Sequence, residues 1–123
     1  MKFLKSVLAM LIMTLPLQAL AYRDGNELFN AMSSQNSRLE ALLYVNGVSA
    51  GLLVGYGIGS KQKNGREDTN LKPRYPYCIP ETMTYMQAHD VVYKYLQENP
   101  AERHMPNSVL ILFAMEKAFP CVR

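Results

Sequence analysis

The sequence predicts an all-α fold, a small four- to five-helix bundle with one disulfide and one long polar loop. Three observations carry that expectation. Apolar residues recur at helical spacing in four separate stretches, no stretch alternates apolar and polar side chains as a half-buried strand would, and the only two cysteines are far apart in the chain.

The opening stretch, "MKFLKSVLAMLIMTLPLQALA", reads as a secretory signal. Lys2 and Lys5 form a basic start, an apolar run follows, and Ala19-Leu20-Ala21 supplies a small-x-small cleavage site. Pro16 interrupts the run, which argues for removal and against a retained anchor, and no cysteine follows Ala21 to carry a lipid. Cleavage after Ala21 would release residues 22–123 into the periplasm as a single domain. Of the 13 basic side chains in the chain two lie in the signal, so 11 remain against 10 acidic ones. That near-neutral balance excludes a protein that tracks nucleic-acid phosphates. A domain this small has a modest core, and a covalent staple matters to it. In an oxidising compartment two thiols end as a disulfide, so Cys78 and Cys121 are the expected pair. Closing a loop of about 43 residues contributes about 4 kcal/mol in chain-entropy terms and ties down a tail that would otherwise fray.

The first helix is expected in "RDGNELFNAMSS", where Leu28, Phe29 and Met32 share a face behind the turn residues Asp24, Gly25 and Asn26. The second lies in "SRLEALLYVNGVSAGLLVGYGIGS", with Ser37 and Glu40 spaced as a capping box. Leu39, Leu42, Leu43, Val45, Val48, Leu52, Leu53 and Tyr56 surround it, the pattern of a helix central to a bundle or inside a membrane. Residues 41–60 carry no charge, and Gly47, Gly51 and Gly55 form a small-residue ridge of the kind that lets membrane helices approach closely. The glycines, Asn46, Ser49 and two tyrosines lower the hydropathy of this stretch. The expectation is therefore a buried helix whose glycine face packs on a neighbour, with a membrane-anchored subunit as the alternative.

From Gly59 to Pro80 periodicity collapses into "GSKQKNGREDTNLKPRYPYCIP", a loop. Lys61, Lys63, Arg66, Glu67, Asp68, Lys72 and Arg74 give it a net charge of +3. A connection this long in a small domain is either functional or disordered. The third helix follows in "ETMTYMQAHDVVYKYLQENP". Thr84 and Gln87 form a capping box, Tyr85, Ala88, Val92, Tyr95 and Leu96 make the apolar stripe, and Asp90 precedes Lys94 as an i, i+4 ion pair. Asn99 and Pro100 stop it, and Asn99 can cap a short turn that contains Glu102. The last helix is "MPNSVLILFAMEKAFPC", begun by Pro106, filled by Val109, Leu110, Leu112, Phe113 and Met115, and ended by Pro120 directly before Cys121.

Little here could perform chemistry. Cys78 with His89 and Asp90 is a nucleophile, base and acid on paper, but a thiol consumed in a disulfide cannot attack. A zinc site from Cys78, His89, His104 and Cys121 lacks a C-x2-C pair, and both histidines read as ordinary, partly exposed side chains. "GYGIGS" has neither a preceding strand nor a following Lys-Ser or Lys-Thr, so it is no phosphate loop. No cofactor or metal is called for. The chain reads as a binding module, and binding modules carry their function on loops and exposed faces.

The order "GNELF" (Gly25–Phe29), "YVNGV" (Tyr44–Val48), "YCIP" with Thr84, "VVYKYLQENPAERH" (Val91–His104) and "AFPC" (Ala118–Cys121) resembles the Rap/Tai family of immunity proteins. These are small periplasmic α-helical proteins that protect bacteria from type VI secretion amidase toxins aimed at peptidoglycan. Members often carry a second cysteine pair; Met32 and Ala41 stand in those places here. The resemblance implies a rigid disulfide-tied plug without enzymatic activity, a cognate amidase as partner, frequent homodimers, and no membrane span in the mature form. The candidate contact is the charged segment Lys61, Lys63, Arg66, Glu67, Asp68, Lys72 and Arg74, with Arg74, Tyr75 and Tyr77 as anchors in an interface of about 800 Å² per partner. The reading from another class is a periplasmic helical chaperone or stress protein without a dedicated toxin.

Overall fold

The computed structural model describes residues 22–122; the expected signal peptide lies outside the described residues. Helix α1 spans Gly25–Ser33, α2 Arg38–Gly59, α3 Tyr85–Glu98 and α4 Asn107–Ala118, with a 3₁₀ turn at Pro100–Glu102. Between α2 and α3 the expected loop contains two short strands, β1 (Gln62–Lys63) and β2 (Arg66–Glu67), paired antiparallel. The described residues are thus mostly helical, as the periodicity required, with one small hairpin that it did not show.

Local chemistry explains each boundary. Asp24 caps α1, its carboxylate accepting the backbone N–H groups of Asn26 and Glu27 at 2.9 and 3.0 Å. Thr84 and Gln87 form the expected capping box reciprocally, with bonds of 3.2 and 2.8 Å. Ser37 makes no capping bond, because the chain enters α2 from a turn with Ser37 already near helical dihedrals. The Asp90–Lys94 pair is likewise absent: Asp90 meets His89 at 3.2 Å and Lys94 reaches Glu98 at 3.8 Å. Asn99 turns its side-chain amide back to the carbonyl of Tyr95 and does not cap the turn that follows.

The core collects Leu28 and Met32 from α1, Ala41 and Val45 from α2, Ala88, Val92 and Leu96 from α3, and Leu110, Ile111 and Met115 from α4. Met32 and Ala41 are core side chains. Tyr85, expected in the apolar stripe, is 73% exposed, although its carbonyl accepts the side-chain amide of Asn46 from α2. Phe113 is exposed too, since Ile111 and Ala114 turn inward in its stead. His89, expected partly exposed, is 2% exposed and stacks on Tyr93 with centroids 6.3 Å apart. Tyr93 stacks in turn on Phe29 at 5.3 Å, and the Arg103 guanidinium covers the Phe29 ring at 3.7 Å. This column of flat groups links α1, α3 and the turn before α4.

The largest departure concerns α2. A helix apolar on every side was expected at the centre, yet only Ala41, Val45, Ser49 and Gly57 are buried. Leu39, Leu43, Val54 and Ile58 are 66, 62, 61 and 59% exposed, and a methyl group added at Gly47, Gly51 or Gly55 would meet nothing within 4 Å. The glycine ridge faces outward. Three shorter helices cannot surround a 22-residue one, so α2 lies on the side of the bundle and shows its second apolar face.

Candidate functional site

The long segment between α2 and α3 is built in two parts, a projecting hairpin and a clamped base. The hairpin turns on Asn64 and Gly65, with φ of 53° and 74°. Two left-handed residues joining two paired strands make the mirror-type turn that Asn-Gly favours, because its twist matches that of the strands. Register pairs Gln62 with Glu67 and Lys63 with Arg66. Below them the backbone N–H of Asp68 donates to the carbonyl of Lys61 at 2.8 Å, and the Lys61 ammonium meets the Glu67 carboxylate at 2.5 Å. That ammonium holds the Glu67 carboxyl below its ordinary range. Asp68 then accepts the backbone N–H of Asn70 at 2.9 Å, an Asx turn that redirects the chain.

The base is fixed at three levels. Arg74 donates its backbone N–H to the Ser60 hydroxyl at 2.7 Å, and that hydroxyl donates to the carbonyl of Gly57 at 3.1 Å. The Tyr75 ring lies against Gly57, where an added methyl would stand 2.9 Å from a ring carbon, so only glycine permits the approach. Tyr77 is fully buried, its phenol donating to the Ser49 carbonyl at 2.6 Å and accepting from the Ser49 hydroxyl at 3.1 Å. Burial raises the Tyr77 pKa above the usual phenol range. One residue on, the Cys78 N–H donates to the carbonyl of Phe119 at 2.8 Å, and Cys78 is bonded to Cys121 with Cα atoms 4.9 Å apart. The disulfide therefore ties the end of α4 to the foot of the loop.

The expected contact residues separate on this frame. Lys63, Arg66 and Glu67 lie on the hairpin, Lys61 and Asp68 at its foot, and Lys72, Arg74 and Tyr75 on the exposed, irregular segment that leads back toward α3. Tyr77 leaves them: with no accessible surface it anchors the loop to α2 and offers a partner nothing. The hairpin itself escaped the sequence reading because two-residue strands are too short to alternate. The Asn64-Gly65 dipeptide between polar flanks was its available signal. Among the described residues no group of three His, Cys, Asp or Glu side chains is placed to hold a metal, and Cys78, the one candidate nucleophile, is in the disulfide.

What this arrangement can do is present a rigid, cationic projection. Among the described residues, Lys63, Arg66, Lys72 and Arg74 have no carboxylate within ion-pair distance. No curated protein and no solved structure matches the chain. The family model of Rap1a immunity proteins matches residues 24–121, from the cap of α1 to the second half of the disulfide. That match covers the helices, the hairpin and the clamped base together, and the chain belongs to the Rap1a immunity protein family.

Proposed function

We propose that this protein is a periplasmic immunity protein that binds a type VI secretion peptidoglycan amidase and fills its catalytic groove with the hairpin-tipped loop. Membership of an immunity family supplies a toxin partner. The observation that carries the finer reading is the clamped base: a net +3 projection held by Tyr77, Ser60 and the disulfide can enter a cleft with little ordering cost. The opening stretch would export the domain, and oxidation would then close Cys78–Cys121 where the toxin acts.

The test is direct. The domain 22–123, purified from the periplasm, is mixed with the amidase toxin of the same strain and peptidoglycan hydrolysis is followed. Stoichiometric inhibition is expected, with Lys63→Glu and Arg66→Glu together weakening it at least tenfold. Full hydrolysis in the presence of excess protein would sink the reading.

A chaperone reading draws on one observation, the exposed apolar face of α2. We assign that face to a second copy of this chain instead, because it is uncharged over residues 41–60 and its glycines leave room for close backbone approach. Suppression of aggregation of an unrelated unfolded protein at substoichiometric ratios would favour the chaperone.

A further inference from the structure

The dipeptide Asn-Gly occurs twice in the chain, as Asn46-Gly47 and as Asn64-Gly65. A glycine after asparagine leaves the backbone nitrogen between them unhindered, because it has no Cβ. That nitrogen can then attack the side-chain amide carbon and close a cyclic imide. The fold treats the two copies differently. Asn46 lies within α2, its side-chain nitrogen donating to the carbonyl of Leu42 at 2.8 Å and to that of Tyr85 at 3.1 Å. The Gly47 N–H is spent in the hydrogen-bond ladder of the same helix. Both reacting groups are engaged there, and ring closure requires α2 to open.

Asn64 and Gly65 form the exposed tip of the hairpin. Among the described residues neither the Asn64 side chain nor the Gly65 N–H has a hydrogen-bond partner. Ring closure asks the peptide bond between them to rotate out of the turn. Two strands of two residues, with no third strand beside them, resist that rotation weakly. Lys63 and Arg66 flank the dipeptide and oppose each other in register, neither paired with a carboxylate among the described residues. Their positive charge favours the anionic nitrogen that attacks and the oxyanion that follows.

We infer that Asn64 is a site of spontaneous deamidation that alters the hairpin tip with age. The Gly65 nitrogen gives its proton to solvent, and its electron pair forms a bond to Cγ of Asn64. The bond from Cγ to the side-chain nitrogen then breaks, and ammonia leaves with a proton from water. Water opens the imide at either of its carbonyls and leaves an aspartyl or an isoaspartyl residue. One water is consumed and one ammonia released, with no change of oxidation state. Either product sets a carboxylate between Lys63 and Arg66 and lowers the net charge of the segment from +3 to +2. The isoaspartyl form also lengthens the main chain by one carbon inside a two-residue turn, so the pairing of Lys63 with Arg66 is lost. Resting on the immunity reading, the consequence is a protein whose grip on its toxin weakens with age.

The domain 22–123 is incubated at neutral and at mildly alkaline pH, with and without urea. Proteolytic peptides are then read by mass spectrometry and by enzymatic methylation of isoaspartate. In the native protein the Asn64 amide is expected to be lost at least about tenfold faster than that of Asn46, which reacts only while α2 is open. Loss should be faster at the higher pH, because the attacking nitrogen must give up its proton. In urea the two positions should react at similar rates. Equal rates in the native protein overturn the assignment. Loss at both positions in urea with neither in the native protein overturns it too, since the turn would then protect Asn64. The modified and fresh forms, separated by ion exchange, are finally mixed with the amidase of the same strain. The modified form is expected to inhibit at least about tenfold less well. Equal inhibition by both forms overturns the weakening with age. No inhibition by either overturns the immunity reading and leaves the chemistry at Asn64 standing.

Discussion

Tyr77 shows how one side chain decides whether a loop is a surface or a strut. Its phenol reaches the middle of α2, where the Ser49 carbonyl and hydroxyl complete its hydrogen bonds inside the core. Tyr77→Phe keeps the ring and deletes those bonds, leaving the Ser49 groups without their buried partner. A loss of about 1–2 kcal/mol is expected in urea unfolding, with toxin affinity unchanged because the ring never reaches the surface. A variant of native stability that failed to bind would reverse both halves of this assignment. Tyr95 offers a pH readout of the same kind. Burial, then its 2.6 Å hydrogen bond to the Glu102 carboxylate, pushes its pKa up to about 12. Because the folded value lies above the ordinary phenol value of about 10, the stability from the neutral phenol is complete below pH 10. It is lost as pH rises through 12. The urea midpoint should therefore fall between pH 9 and pH 11.5, and fall less in Tyr95→Phe; identical slopes in the two proteins would contradict this. His89 is the residue that sequence could least place. It reads as an ordinary, partly exposed side chain, yet it stacks on Tyr93 in the column that joins α3 to α1, with its Nε2 buried and unpartnered among the described residues.

At the scale of elements, helices α1 and α3 were legible because each carries an amphipathic stripe and polar residues at its start, and the caps at Asp24 and Thr84 both form. The last helix was legible in extent but not in facing. It is apolar nearly all round, so its sequence does not say whether Phe113 or Ile111 turns inward. The same uniformity hid the place of α2, whose burial depends on how many neighbours can reach it. The disulfide was readable from the export that the opening stretch predicts and from the number of cysteines, and its consequence lies at this scale. It joins the end of α4 to the foot of the loop across a sequence separation of 43 residues. Cys121→Ser should lower stability by 2–4 kcal/mol, the upper value being about what loop-closure entropy allows. It should also speed amide exchange over residues 59–78 beyond the global effect, because the third fastening of the base is gone while Ser60 and Tyr77 remain. Reductant should produce the same change in the unaltered protein and none in the variant. Equal stability with and without reductant would mean that the core alone holds the base.

For the whole molecule the decisive feature is the free side of α2. Leu39, Leu43, Gly47 and Gly51 lie along its first turns without charge or cover, and a helix of this length and hydropathy meets the bare criteria for a membrane span. A domain that left such a face to water would associate through it, since apolar patches of this kind are uncommon on monomers. A second copy is the economical occupant. Two α2 helices can cross at the glycines, where backbones approach closely, and each buries the other's leucines and valines at about 25 cal/mol per Å². The pairing would use the same patch on both copies, as two-fold dimers do. It would leave both hairpins available, because they project from the opposite end of the helix. Light scattering on the domain 22–123 is expected to give the mass of a dimer at micromolar concentration. Leu43→Lys should give the mass of a monomer, since two like charges would meet in an apolar seam. Its circular dichroism should be unchanged, because Leu43 makes no part of the core. Release of the unaltered protein as a monomer at every concentration, together with recovery in the membrane fraction, would mean that lipid covers this face. In that case the sequence pattern of residues 41–60 would have signalled the bilayer all along.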